Sequence, residues 1–122
     1  MTRIEEFTQD NKKFISFNMS GFKTDDDYYD FIEGAKVVMK KYPPDSVYTI
    51  SNMEGSVLTP NTHDIIADWV AHNKPYVKYG AVYGVDFSMK TIGKTVGIVT
   101  QRLNLVYVSS KEEALEYLLN LE

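Results

Sequence analysis

The stretch N-K-P-Y-V-K-Y-G-A-V-Y-G-V-D, residues 73 to 86, decides the fold of this chain of 122 residues. In an extended chain its residues after Pro75 fall into two alternating sets, Val77, Tyr79, Ala81 and Tyr83 on one face and Tyr76, Lys78, Gly80 and Val82 on the other. Both sets are apolar after Lys78, which is typical of a strand that is covered on both faces. The stretch therefore predicts a central strand in a sheet that carries helices.

The glycines around this strand raise the question of a phosphate-binding loop. Gly80 and Gly84 lack the G-x-G-x-x-G spacing, and the triplet Gly93-Lys94-Thr95 lacks the glycine that a P-loop needs five residues earlier, where Ser88 stands. Gly93 also falls within a predicted helix, not between a strand and a helix. We interpret the glycines as positions where a helix or a neighbouring chain approaches closely, and we expect no cofactor.

Strands are predicted on both sides of the opening stretch. F-I-S-F-N, residues 14 to 18, alternates and forms a predicted hairpin with the run from Arg3 to Thr8. S-V-Y-T-I-S, residues 46 to 51, predicts the strand before the opening stretch, and Leu103 to Val108 predicts the last one. The expected sheet therefore has four to five strands.

Four helices are predicted from capping residues and apolar spacing. Thr24 caps the first helix, Thr59 with Pro60 begins the second, Asp86 or Ser88 caps the third, and Ser110 with Glu113 forms a capping box for the fourth. Their apolar residues are Tyr28, Phe31, Ile32, Ala35, Val38, Met39 and Tyr42; Ile65, Ile66, Trp69 and Val70; Ile92, Val96 and Val99; and Ala114, Leu115, Leu118 and Leu119. The alternation predicts an α/β fold with a mainly parallel central sheet, an N-terminal hairpin and four helices, in a single domain over residues 1–122.

Composition excludes several function classes. The net charge is −4 and the chain has only two arginines, so no basic stripe is expected to bind nucleic acid. The chain has no cysteine, which excludes disulfides and thiolate metal sites and fits the cytoplasm. No targeting segment and no membrane span is expected.

Catalytic and metal sites find little support in the residue patterns. Asp64, Asp68 and His72 share one side of the second helix, with His63 beside them, but they lie away from its apolar stripe, where a solvated polar face is the usual explanation. No third cluster completes a metal site, and no G-x-S-x-G motif or acid/base pair anchors nucleophilic catalysis. We predict no metal and no enzymatic activity.

The loop from Ser51 to Asn61 is the candidate binding site. It joins the carboxyl end of a predicted parallel strand to the amino end of a helix, where ligands of α/β sheets collect. A phosphate on Thr59 or Thr62 would be stabilised by the helix dipole there, although Thr59 has the alternative role of a simple cap. Tyrosines in the neighbouring strand line a groove or, alternatively, form the edge of the core with hydrated hydroxyl groups.

Several phrases resemble the STAS superfamily, and most closely its small SpoIIAA-like branch, which is related to anti-sigma factor antagonists. They are F-I-S-F-N-M-S-G-F, S-N-M-E-G after S-V-Y-T-I, N-K-P-Y-V-K-Y-G-A-V-Y-G-V, Q-R-L-N and S-S-K-E-E-A-L-E-Y-L. The resemblance spans residues 14 to 119. It implies a sheet of partly mixed strand order, helices mainly on one face, and binding in place of catalysis.

The resemblance also implies a regulated loop. In the family's best-known members a kinase phosphorylates a serine in a D-S-x-G loop, and the corresponding stretch here is Leu58-Thr59-Pro60-Asn61-Thr62. D-S-x-G is absent, so only Thr59 or Thr62 could replace the serine. The fold is also compared with lipid-carrying CRAL-TRIO domains, although a chain this short has little volume to enclose a lipid.

We therefore expect a cytoplasmic, non-enzymatic regulatory module that binds a protein partner. The residues expected to bind it are Asn52, Met53, Glu54, Thr59, Asn61 and Thr62. The alternative is a carrier of a small apolar molecule or lipid, with a groove formed by Tyr76, Tyr79 and Tyr83. A homodimer stays open, since small domains commonly pair through sheet edges or apolar helix faces.

Overall fold

A computed structural model describes residues 3–86 and 104–121 of the chain. Their elements are β1 (Ile4–Gln9), β2 (Lys12–Asn18), α1 (Asp25–Met39), β3 (Val47–Asn52), α2 (Pro60–Asn73), β4 (Val77–Tyr83), β5 (Leu105–Tyr107) and α3 (Lys111–Leu119). The predicted helix with Ile92, Val96 and Val99, and the glycines Gly93 and Gly97, lie outside the described residues. Three of the four predicted helices are thus described, and none of these three is long and apolar enough to cross a membrane.

The five strands form one sheet in the order β1-β2-β3-β4-β5. β1 runs antiparallel to β2, and the other three pairs are parallel, so the sheet is mixed and the expectation of a mainly parallel sheet is corrected accordingly. The predicted N-terminal hairpin is confirmed. Asp10 and Asn11 form its turn with positive φ angles of 53° and 65°, as in the two-residue turns that suit the twist of a hairpin.

Helices cover both faces of the sheet and create two cores. The first core lies under α1 and α2 and includes Phe17 of β2, whose ring meets the Trp69 ring edge-on at 5.2 Å. The second core lies under α3 and includes Ile50 of β3 and Leu118 of α3. Two of the three described helices therefore share a face, while α3 packs on the other.

A β-bulge at Lys78 changes which face of the sheet the side chains at the start of β4 occupy. Val47 of β3 pairs with Val77, but the next residue, Tyr48, pairs with Tyr79, so Lys78 is an extra residue in β4. Val77 consequently packs in the first core, whereas Tyr79 packs against the second. The predicted alternation holds from Tyr79 onward and is wrong for Val77.

Glycines of the same stretch allow close approach, as predicted. A Cβ on Gly80 would lie 2.5 Å from both Thr49 Oγ1 and Leu105 Cδ2. Gly84 has a φ of 80°, and a Cβ there would collide with the Glu54 side chain and lie 2.6 Å from the Glu54 backbone nitrogen. Only glycine fits this conformation and this contact without strain.

The predicted helix caps differ in detail. Thr24 and Asp27 form a complete capping box at the start of α1. The Ser110 hydroxyl accepts from the Glu113 N–H, as predicted, but the Glu113 carboxylate accepts from the Ser109 hydroxyl and N–H. α3 therefore begins with half of the predicted box.

Lys12 attaches the end of the chain to the sheet. Its ammonium group donates to the carbonyl oxygens of Leu118 (2.8 Å), Leu119 (3.2 Å) and Leu121 (2.5 Å). It also lies 5.1 Å from the centre of the Tyr48 ring. The last carbonyls of a helix have no partners within the helix and form its negative end, so this cation stabilises the docking of α3.

We expect Lys12→Met to lower the free energy of unfolding by about 1 to 2 kcal/mol, because several charge-assisted hydrogen bonds are lost. The measurement is urea denaturation followed by circular dichroism. Lys13→Met, at an exposed neighbouring position, is the matched control and should change stability by less than about 0.5 kcal/mol. Equal effects of the two variants would contradict the role of Lys12.

Gly84→Ala should destabilise the protein by about 2 kcal/mol or more, because the new methyl group meets the Glu54 backbone and φ is positive. Gly34→Ala is the control. Gly34 is exposed within α1, with no atom within 4 Å of an added Cβ, so alanine should raise stability by about 0.5 to 1 kcal/mol. Urea denaturation of both variants checks the opposite signs.

Candidate functional site

The loop between β3 and α2, residues 53–59, is attached to two neighbouring segments at the carboxyl edge of the sheet. The Met53 N–H donates to the Tyr83 carbonyl at the end of β4 (2.9 Å). The Glu54 carbonyl accepts from the Gly21 N–H (2.9 Å), and the Val57 N–H donates to the Phe22 carbonyl (2.7 Å). The 53–59 loop is therefore part of a continuous surface and does not project alone.

Side chains also hold the 53–59 loop in one conformation. Asn52 Oδ1 accepts from the Glu54 N–H (2.9 Å), and the Ser56 hydroxyl donates to the Met53 carbonyl (2.7 Å). Lys23 donates to the Gly55 carbonyl (3.2 Å) from the neighbouring loop. The backbone is thus ordered before any partner binds.

Thr59 and Thr62 hold the start of α2. The Thr62 N–H donates to Thr59 Oγ1 (3.3 Å), the Thr59 N–H donates to Thr62 Oγ1 (2.6 Å), and the Thr62 hydroxyl donates to the Thr59 carbonyl (2.9 Å). The predicted cap at Thr59 is confirmed. Thr62 is 0% exposed, whereas Thr59 is half-buried, so only Thr59 presents its hydroxyl near the surface.

The six residues expected to bind a partner differ in exposure. Glu54 and Asn61 are exposed, Asn52 and Thr59 are half-buried, and Met53 and Thr62 are buried. Gly21 and Lys23 are exposed beside them, and sequence reasoning missed both because their contact with the loop joins segments about thirty residues apart. We define the carboxyl-edge surface by its outward-facing residues, Asn52, Glu54, Thr59, Asn61, Gly21 and Lys23.

Two ionisable groups near this edge of the sheet have shifted pKa values. Burial raises the pKa of the Tyr83 phenol, and the charges of Glu54 and Glu112 raise it further. The carboxylate of Asp27, at the start of α1, accepts hydrogen bonds from the N–H groups of Lys23 and Thr24, which lower its pKa. Tyr83 therefore stays neutral and Asp27 stays charged at neutral pH.

The three tyrosines of the predicted groove do not come together. Tyr76 packs against the first core, and its ring lies 5.9 Å from the His72 ring. Tyr79 stacks on Tyr48 at 6.4 Å on the opposite face of the sheet, where Tyr83 is also buried. Tyr76 therefore lies on a different face of the sheet from Tyr79 and Tyr83, so the three residues form no common groove.

The polar side chains of α2 make structural contacts. Asp68 forms an ion pair with Lys36 of α1 at 2.9 Å. The His72 ring lies between the rings of Trp69 and Tyr76, each 5.9 Å away. In residues 3–86 and 104–121, no three His, Asp or Glu side chains come close enough to hold a metal ion.

A cavity of about 60 Å³ lies behind the carboxyl-edge surface, between α2 and the sheet. Met53 and Leu58 of the 53–59 loop form part of its wall, and Trp69 contributes from α2. Tyr107 also lines it, and burial raises the pKa of this phenol to about 12. The predicted groove tyrosines are not among the described residues that line this cavity.

Comparison with solved structures identifies a related fold. The structure of an anti-sigma-factor antagonist (STAS) domain protein from Planctomyces limnophilus aligns with 96% of this chain and 98% of its own, with a TM-score of 0.61 and 14% sequence identity. No protein-family model matches the sequence, and no curated protein matches it. The strand order, the covered sheet and this alignment together show that the chain has the fold of a STAS domain.

Proposed function

We propose that this chain is a non-enzymatic regulatory module that binds a protein partner through its carboxyl-edge surface. The observation that carries the proposal is the ordered 53–59 loop, which is held by three backbone hydrogen bonds to neighbouring segments. A surface that is ordered before binding loses little conformational entropy when a partner docks. The fold match to a protein described as an anti-sigma-factor antagonist domain supports a protein as the partner.

The chemistry of the surface favours recognition over catalysis. Its side chains offer the Glu54 carboxylate, the Lys23 ammonium group, the amides of Asn52 and Asn61, and the Thr59 hydroxyl. The Thr59 oxygen accepts a hydrogen bond from a backbone N–H and has no base beside it among the contacts described. Such a set provides directional hydrogen bonds and charges to a partner but no activated nucleophile.

Thr59 is the residue through which phosphorylation would regulate this surface. A phosphate there would lie at the amino end of α2, whose first turn contains no acidic residue. The helix dipole would stabilise the phosphate, and the two added negative charges would change the surface that a partner meets. Thr62 is less suited because its hydroxyl is fully buried.

An enclosed lipid carrier is less well supported. The 60 Å³ cavity has less than half of the roughly 150 Å³ that accommodates a benzene molecule in an engineered protein core. A fatty acyl chain is much larger than benzene. Together with the separation of the three tyrosines, this volume favours the protein-binding proposal.

We expect the double variant Glu54→Gln, Asn61→Ala to weaken partner binding at least tenfold, because both side chains are exposed at the centre of the proposed contact. Partners are captured on the immobilised wild-type chain, identified by mass spectrometry and titrated by calorimetry. Glu116→Gln with Asn120→Ala repeats both changes at exposed positions of the C-terminal region and should leave affinity unchanged. Equal affinities for both double variants would contradict the proposed surface.

A series at Thr59 separates capping from regulation. Thr59→Ala should lower stability by about 1 kcal/mol through loss of the cap, whereas Thr59→Ser and Thr59→Asp should retain most of it. Of the two capping variants, only Thr59→Asp adds charge, so it should change partner affinity about fivefold or more while Thr59→Ser does not. Unfolding curves and calorimetry measure the two effects. Unchanged affinity in Thr59→Asp would leave Thr59 as a cap alone.

A further inference from the structure

The cavity behind the carboxyl-edge surface has the size of a small-molecule site. Its volume of about 60 Å³ is several times the roughly 10–15 Å³ that one water molecule needs. Ile66 and Trp69 line it from α2, and Val82 lines it from β4. These walls are apolar, so the cavity suits the hydrocarbon part of a molecule with a few non-hydrogen atoms.

Three polar side chains, besides the Tyr107 phenol, lie on the otherwise apolar walls of this cavity. Thr49 and Ser51 are two residues apart on β3 and therefore share a face of the strand, and Asn73 lies at the end of α2. Thr49 and Asn73 are only 5% and 6% exposed. Asn73 Oδ1 contacts His72 Nδ1 at 3.1 Å, whereas the two hydroxyls and the Asn73 amide nitrogen form no hydrogen bond with another described residue.

The two hydroxyls and the Asn73 amide nitrogen are therefore available to form hydrogen bonds with a molecule in the cavity. A cavity that joins apolar walls to a few convergent polar groups is the usual form of a ligand site. Gly80 contributes to this arrangement, because a side chain there would collide with Thr49 Oγ1. A side chain at position 80 would force the Thr49 hydroxyl to move.

The walls also select for a neutral ligand. Among the described residues that line the cavity, none is Lys, Arg, His, Asp or Glu. Tyr107 stays protonated at neutral pH, because burial raises its pKa to about 12. A charged molecule would lose its hydration here without gaining an opposite charge.

We propose that this cavity binds a small neutral molecule with an apolar body and one hydrogen-bonding group, of the class of short-chain alcohols and amides. Thr49, Ser51 and Asn73 hold the polar group, and Trp69 packs against the apolar body. The site is separate from the proposed partner surface, and its test needs no partner. Failure of partner binding would therefore leave this inference intact.

The test is a titration of the ¹⁵N-labelled 122-residue chain with ethanol, followed by amide NMR shifts. We expect saturable shifts at cavity residues such as Thr49, Met53 and Asn73, with a dissociation constant on the order of 10 mM for a ligand of this size. Acetate and ethylammonium have the same number of carbon atoms with a charge, and they should give no saturable shifts at these residues. Linear, unsaturated shifts with ethanol, or equal binding of the charged analogues, would overturn the proposal.

Three variants test the assigned residues. Thr49→Val retains the shape of the side chain without the hydroxyl and should weaken ethanol binding about fivefold, and Val82→Phe should fill the cavity and abolish binding. Ser51→Ala provides a second hydroxyl removal if Thr49→Val does not fold. Thr8→Val, at an exposed position of β1, is the matched control and should bind like wild type. Wild-type affinity in all folded cavity variants, or a crystal soaked in ethanol that holds only water in the cavity, would refute the site.

Discussion

The rest of the structure depends on one constraint, which is that β3 must bury both of its faces. β3 pairs in parallel with β2 on one side and with β4 on the other, and its residues from Val47 to Ile50 are all buried. Successive side chains therefore enter opposite cores, with Val47 in the first and Tyr48 in the second. A strand of this kind is stable only if helices cover both faces of the sheet, which is how α1 and α2 come to lie opposite α3.

Local signals in the sequence predict much of this fold. Thr24 and Thr59 mark helix starts because their hydroxyls accept backbone N–H groups, and this depends only on residues three positions away. The bulge at Lys78 could not be predicted, because it depends on how β4 pairs with β3 and not on the residues of β4 alone. Glu113 shows the same limit, since its carboxylate turns to Ser109 although the S-x-x-E pattern predicts a contact with Ser110.

The sequence predicts where the 53–59 loop lies but not which of its side chains are buried. The order of strand, loop and helix places residues 53–59 at the carboxyl edge of the sheet, and the structure has them there. Burial within the loop is set by tertiary packing, so the sequence does not distinguish buried Thr62 from half-buried Thr59, although both are hydroxyl residues at the start of one helix. The contribution of Gly21 and Lys23 was equally hidden, because it arises from the register between β2 and β3.

The two proposed sites share one segment of backbone. Met53 and Leu58 point inward and form part of the cavity wall, while Glu54, between them in the chain, is exposed on the carboxyl-edge surface. Gly84 also lies so close to Glu54 that an added Cβ would collide with the Glu54 backbone. Coupling between two sites requires that the ligand bind two conformations with different free energies. A molecule in the cavity would therefore affect a partner on the surface only if it contacted Met53 or Leu58 differently in two conformations of the 53–59 loop. The rigid attachment of the 53–59 loop favours two sites that act independently.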